Sequence, residues 1–205
     1  MLRSRAQNLV IVKIKRPYHH GALRDALVDA AAQLLTERGP SGVTLREVAR
    51  RAGVSQAAPY HYFDSKAALI LAVADAGFAT LDAQQAAALA RAPHDPVARL
   101  NALVVTHIRF ALEHPHYFNA MTPHVSDRFA DVVREARVAA GHDDLDPTAI
   151  ATLIWAVPHG LLALHLDRRG TRAETTPVEI ERLARTAVNA LVAIPPDDVA
   201  AEWAV

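Results

Sequence analysis

Beyond its first 17 residues, the apolar residues of this chain recur at steps of three and four, in stretches bounded by helix-start and helix-stop signals. Leu23, Leu27, Ala30, Ala31, Leu34 and Leu35 form one such stripe, and Gly39-Pro40 stops it. Thr44 opens the next helix with Glu47 three residues on, the spacing of a capping box, and Gly53 breaks it. Ser55 caps a short third helix ending near Phe63, and Asp64-Ser65 caps a long fourth from Lys66 to about Arg91. Asp95-Pro96, Asp146-Pro147 and Thr176-Pro177 place proline at the favoured first helical position of three more, ending near His114, Arg169-Gly170 and Ile194. A short turn or helix over Pro115–Met121 and an amphipathic helix over His124–Ala140 fill the gap. No alternating strand pattern occurs outside Leu9–Ile14, which has nothing near it to pair with, so the chain is predicted to be all-α.

Cysteine is absent. Disulfides, Cys-ligated zinc and thiol catalysis are thereby excluded, and a reducing cytoplasm suits the chain. The net charge is zero, but its distribution is lopsided. Up to Lys66 there are 11 Lys and Arg against 5 Asp and Glu; beyond it, 11 against 17. A basic third on an acidic remainder points to two functions, the basic one meeting phosphate. No secretory signal is evident, because Leu9–Ile14 is short and interrupted by Lys13. Residues 148–166 are nearly long enough to span a bilayer, yet contain Pro158, His159 and His165 and have no comparable partner segment. A buried bundle helix is the expectation, with no membrane partner.

The stretch from Gly42 to Lys66, GVTLREVARRAGVSQAAPYHYFDSK, carries the function. Two short helices joined at a glycine make a helix-turn-helix, in which the first props the leading residues of the second into a major groove. Gln56, Ala57 and Tyr60 share one face at helical spacing. A glutamine bonds adenine through two atoms, and alanine meets a thymine methyl. Tyr60 and Tyr62 offer hydroxyls to phosphates, Thr44 and Ser55 stand at helix starts that attract phosphate, and Lys66 adds a cation.

The segment from about Tyr18 to Leu71 resembles the DNA-binding domain of TetR-family regulators. The likeness rests on order and spacing: a first helix ending at Gly39, then TLREVARRAGVS, then YHYFDSKAAL, with Thr44, Ala49, Ala52-Gly53-Val54-Ser55, Tyr60, Phe63, Lys66 and Leu69 in place. It implies DNA contact at Thr44, Ser55, Gln56, Ala57, Tyr60, Tyr62 and Lys66, with Arg46 beside them. Pro59 departs from the family, which usually has a branched aliphatic residue there, so a kinked or tightened recognition helix is expected. The resemblance divides the chain into a basic flexible arm at 1–17, a helix-turn-helix domain at 18–66, and a larger helical ligand and dimer domain at 67–205.

In that larger part, Phe110, Tyr117, Met121, Trp155 and His159 are the candidate walls of an effector pocket. Trp155 and His159 lie four apart, and Pro158 between them should bend their helix and free a carbonyl. Trp155, His159 and Gly160 look like the Trp-His-Gly signature of one TetR subclass, and Pro115–Met121 fits it. Ordinary core packing is the competing account of each aromatic. Eight histidines fall in this half, but none stands in a zinc-binding pattern, so neither metal nor cofactor is expected. The last two helices are apolar nearly all round, which suits the dimer interface the resemblance implies, and a two-fold dimer calls for an inverted-repeat operator. The function expected is a transcriptional repressor that binds double-stranded DNA as a homodimer and is released by a small molecule. An effector-independent activator and a helical enzyme are the alternatives, although no nucleophile elbow, carboxylate pair or phosphate loop is visible.

Overall fold

The computed structural model describes residues 20–121, 125–142, 146–166 and 176–194. The basic arm, the tail from 195, His124, the run 143–145 and Arg169-Gly170 lie outside them. Among the described residues every regular element is helical: α1 (His20–Arg38), α2 (Leu45–Arg51), α3 (Lys66–Arg91), α4 (Pro96–Glu113), α5 (Pro115–Phe118), α6 (Asp127–Ala139), α7 (Pro147–Leu166) and α8 (Pro177–Ala193). Two short 3-10 turns, Pro40–Gly42 and Ala58–His61, flank α2.

Helix starts follow the sequence signals, with one change of partner. The Thr44 hydroxyl accepts from the Glu47 N–H, but the Glu47 carboxylate turns to Arg38 and Arg50, so only half of the expected capping box forms there. A complete box forms instead at Thr176, whose hydroxyl and N–H exchange bonds with Glu179. α6 starts at Asp127, capped by the Ser126 hydroxyl. Ser65 and Asp95 cap α3 and α4.

α1, α2 and the first turns of α3 enclose one core, built on Leu27, Leu34, Val48, Phe63, Leu69 and Val73. The head therefore does not close at residue 66; its core continues two turns into α3. A second core, with Leu103, Ile108, Val133, Ile154, Ile180 and Val188, joins α4, α6, α7 and α8. Burial of each such side chain stabilises by about 1.5–3 kcal/mol, against at most about 1 kcal/mol for an exposed ion pair. These two cores, and α3 running through both regions, set the frame on which any site stands.

Two buried polar links fix α8 on the body. Asn101 donates to Asn189 Oδ1 at 2.8 Å and to the Val97 carbonyl at 2.9 Å. Arg137, only 3% exposed, donates to the carbonyls of Leu191, Val192 and Ile194 at the end of α8. A cation there satisfies carbonyls that have no helical partner and meets the negative end of the helix dipole.

Candidate nucleic-acid interface and internal cavity

The reading turn is set by one glycine and one proline. Gly53 has φ +69°, where a side chain is strained even with open space around it. That conformation lets the Gly53 N–H reach the Arg50 carbonyl and the Val54 N–H reach the Ala49 carbonyl, the two bonds of a Schellman ending. The chain then turns back across α2. An α-helix starting at Ser55 would need an N–H at position 59 for the Ser55 carbonyl, and Pro59 has none. The carbonyl takes the Ala58 N–H instead at 3.0 Å, and Tyr60 N–H bonds Ala57 O at 3.2 Å. The expected recognition helix is thus a single 3-10 turn over Ala58–His61, with no side-chain cap from Ser55. In 3-10 geometry residues three apart eclipse, so Tyr60 lies over Ala57 rather than over Gln56.

Ala58 and Pro59 are buried and anchor the turn on the head, while Ser55, Gln56, Ala57 and Tyr60 face outward. Tyr60 is 55% exposed, high for a tyrosine. Thr44 and Arg46 are exposed at the start of α2. Tyr62 is half-buried, packed beside Phe63 with ring centroids 6.4 Å apart. The Lys66 ammonium is half-buried and donates to the Pro40 carbonyl, so it also ties α3 to the turn after α1.

The head's basic residues are largely occupied by its acidic ones. Arg38 and Arg50 share Glu47, and Arg51 pairs with Glu37. Arg50 beside it, and Arg38 more weakly, hold the Glu47 carboxyl at about 2 despite partial desolvation. Residues 20–66 hold 6 Lys and Arg against 5 Asp and Glu, so nearly all of the N-terminal positive excess resides in Arg3, Arg5, Lys13, Lys15 and Arg16. Arg46 stands apart, exposed and without an ion-pair partner among the described residues.

Between α3, α4, α6 and α7 lies a cavity of about 350 Å³. Phe78, Leu81, Met121, Phe129 and Trp155 give it apolar walls, with Gln85 and His107 as buried polar members. Of the five residues expected in a pocket, Met121 and Trp155 line it. His159 is one layer behind, stacked on Trp155 at 4.2 Å between ring centroids and 5.9 Å from His107. Phe110 is fully buried with Leu81 and Met121, backing the wall. Tyr117 packs beside the same cluster but does not line the cavity, and its hydroxyl donates to Asp29 of α1 at 2.9 Å, across the join between head and body. Met121 and, from α5, Tyr117 rest on Gly77 of α3, where an added Cβ would stand 2.9 Å from the Met121 sulfur and 3.0 Å from the Tyr117 Cβ.

Phe78, Gln85, His107 and Phe129 were missed at the sequence level. The available signal was polarity on an apolar stripe: Gln85 four residues after Leu81, and His107 three after Val104. Burial, and secondarily His159, push the His107 imidazole down to about 3, so it is neutral near pH 7. The wide apolar face expected on the last helices is only partly buried: Leu153, Leu164, Val178 and Leu183 are exposed, and Gly160 has open space above it. Leu153, Val157, Gly160 and Leu164 are spaced four, three and four, on one face of α7. α3 and residues 148–166 are long and apolar enough to cross a membrane, though each packs one face into the helical body. No group of three or more His, Cys, Asp or Glu suited to a metal occurs among the described residues.

Comparison with known proteins agrees at both ends of the molecule. Residues 27–73 match the bacterial regulatory proteins of the tetR family, and residues 100–191 match the tetracyclin repressor-like C-terminal domain. The HTH-type transcriptional regulator BetI of Rhizobium meliloti (strain 1021) is 41% identical over 81 residues. That match covers 40% of this chain and 39% of BetI, so about two fifths of each length is shared. A Rhodococcus sp. RHA1 protein of unknown function superposes with a TM-score of 0.66 and 29% identity, over 87% of this chain and 97% of that one. A putative TetR-family transcriptional regulator from Rhodococcus sp. shares the fold at a TM-score of 0.68 and 20% identity, over 84% and 99%.

Proposed function

The chain belongs to the TetR family of bacterial regulatory proteins, and on that premise we propose that it is a cytoplasmic DNA-binding transcriptional regulator that reads an inverted-repeat operator as a homodimer. One observation carries the reading. The turn after Gly53 buries Ala58 and Pro59 and so holds Gln56, Ala57 and Tyr60 rigidly outward, beside exposed Thr44 and Arg46. Gln56 and Ala57 are the base-reading side chains; Tyr60, Tyr62, Ser55, Thr44 and Arg46 bond phosphates and set the register. Lys66 adds charge while bracing the turn after α1. The exposed apolar face of α7 and α8, with Gly160 leaving room for close approach, supports pairing with a second copy. We further read the regulator as a repressor of the Trp-His-Gly subclass, released when a small molecule fills the body cavity. Such coupling is typically about 1–3 kcal/mol.

The test is selection of bound duplexes from random DNA with the full chain. Inverted repeats with half-sites about 34 Å apart are expected. On the selected operator, Tyr60→Ala should weaken binding roughly tenfold to a hundredfold, with helical circular dichroism unchanged because Tyr60 is exposed. Enrichment of no sequence would sink the proposal, and unchanged affinity in Tyr60→Ala would refute this docking of the turn.

A further inference from the structure

We propose, resting on the reading of the body cavity as the effector site, that its ligand is an uncharged, mostly apolar molecule carrying a hydroxyl or carbonyl oxygen, seated against His107 and Gln85. The cavity volume of about 350 Å³ is that of a small-molecule site. Most of its walls are aromatic or aliphatic, which fixes the bulk of the ligand as apolar. Its polar demand is specific. His107 is 3% exposed, and neither of its ring nitrogens has a hydrogen-bond partner among the described residues. Gln85, 7% exposed, adds a carboxamide from α3 on the same cavity. A neutral imidazole has one donor and one acceptor nitrogen, and a carboxamide offers both as well. A hydroxyl or carbonyl on the ligand gives these groups the partners that the protein does not.

The same lining argues against a charged ligand. Burial holds the His107 ring neutral, so it supplies no cation for a carboxylate. Asp82 is exposed and sits at the rim, where Arg128 donates to both its carboxylate and its backbone carbonyl, so neither charge is spare. An ion entering the cavity would lose water without gaining a counter-charge.

Four eight-carbon probes separate the cases: 1-octanol, 2-octanone, octanoate and octylammonium. Binding is followed at pH 7 by Trp155 emission, using the full chain with Trp203→Phe. Octanol and octanone should bind at least about tenfold more tightly than either ion. Gln85→Leu and His107→Leu should each weaken octanol by about tenfold. The proposal is overturned by an ion that binds as well as the alcohol, by failure of both neutral probes at millimolar concentration, or by unchanged octanol affinity in both variants. DNA binding is measured separately. If the probes bind in the expected order but leave operator affinity unmoved, the ligand class stands and effector release falls.

Discussion

In the head, Arg38, Arg50 and Arg51 are paired with acidic side chains at the surface; in the body, Gln85 and His107 on the cavity are buried, and the His107 ring nitrogens have no hydrogen-bond partner among the described residues. Glu37 and Glu47 hold three arginines along α1 and α2, a lattice that steadies a reading surface without burying a charge. His107 and Gln85 are enclosed by aromatic and aliphatic walls. Water satisfies the first arrangement almost as well as the protein does. The second is costly unless something enters. On the proposed reading, the contrast separates a surface that meets a large partner from an interior that takes a small one.

The contrast is broken most forcefully at Phe110. It is fully buried against Leu81 and Met121, both of which line the cavity. If it is core, Phe110→Ala lowers stability by about 3–5 kcal/mol, read as a shifted urea midpoint with an unchanged slope. If Phe110 belongs to the pocket itself, stability holds and probe binding is lost instead. Either result reassigns the boundary between wall and cavity.

How far the residues alone foretold this arrangement depended on how local each cause was. Helix order, the Gly53 turn and the outward face of Gln56, Ala57 and Tyr60 follow from neighbours within five positions, and they could be read directly. Pro59 announced a tightened turn for the same reason. The cavity brings together residues from four helices spread over Phe78–Trp155, and no local pattern sets which of them meet. Aromatic content drew attention to Phe110 and Tyr117, but distance in space sent one to the core and the other to Asp29. Glu47 shows the same limit at short range. Its spacing from Thr44 suits a box, yet two arginines compete for the carboxylate more strongly than one backbone N–H.

A smaller effect sharpens the join between the two regions. Burial first, then the bond to Asp29, raises the Tyr117 phenol to about 12, so it stays protonated and donating across the ordinary pH range. Tyr117→Phe removes that donor and leaves Asp29, which is exposed, to water. The expected loss is about 1 kcal/mol in urea unfolding. No loss at all would mean that the bond adds nothing to the apolar packing of α3, Tyr117 and Ala120 on the head core.

The finest discrimination comes from acid. In the folded head the Glu47 carboxyl sits at about 2, below its ordinary 4.5, chiefly through its bond with Arg50. Glu37 is lowered in the same direction by Arg51. Folding therefore favours the ionised carboxylates. The Glu47 contribution is complete above the ordinary carboxylate value and fades as the pH falls from about 4.5 towards 2; that of Glu37 fades in the same direction. His107 is lowered in the same direction for a different reason, because folding excludes its cation, so below its ordinary 6.5 the unfolded chain gains protons that the folded body resists. Acid should thus weaken the body first, from about 6.5 downward, and the head only below about 4.5. Hydrogen exchange along a pH series, compared between α2 and α4 amides, resolves the two. Glu47→Gln should flatten the α2 response below 4.5 and leave α4 untouched. An α2 profile that is identical in the variant would show that the Glu47 pairs with Arg38 and Arg50 contribute nothing to holding the head together.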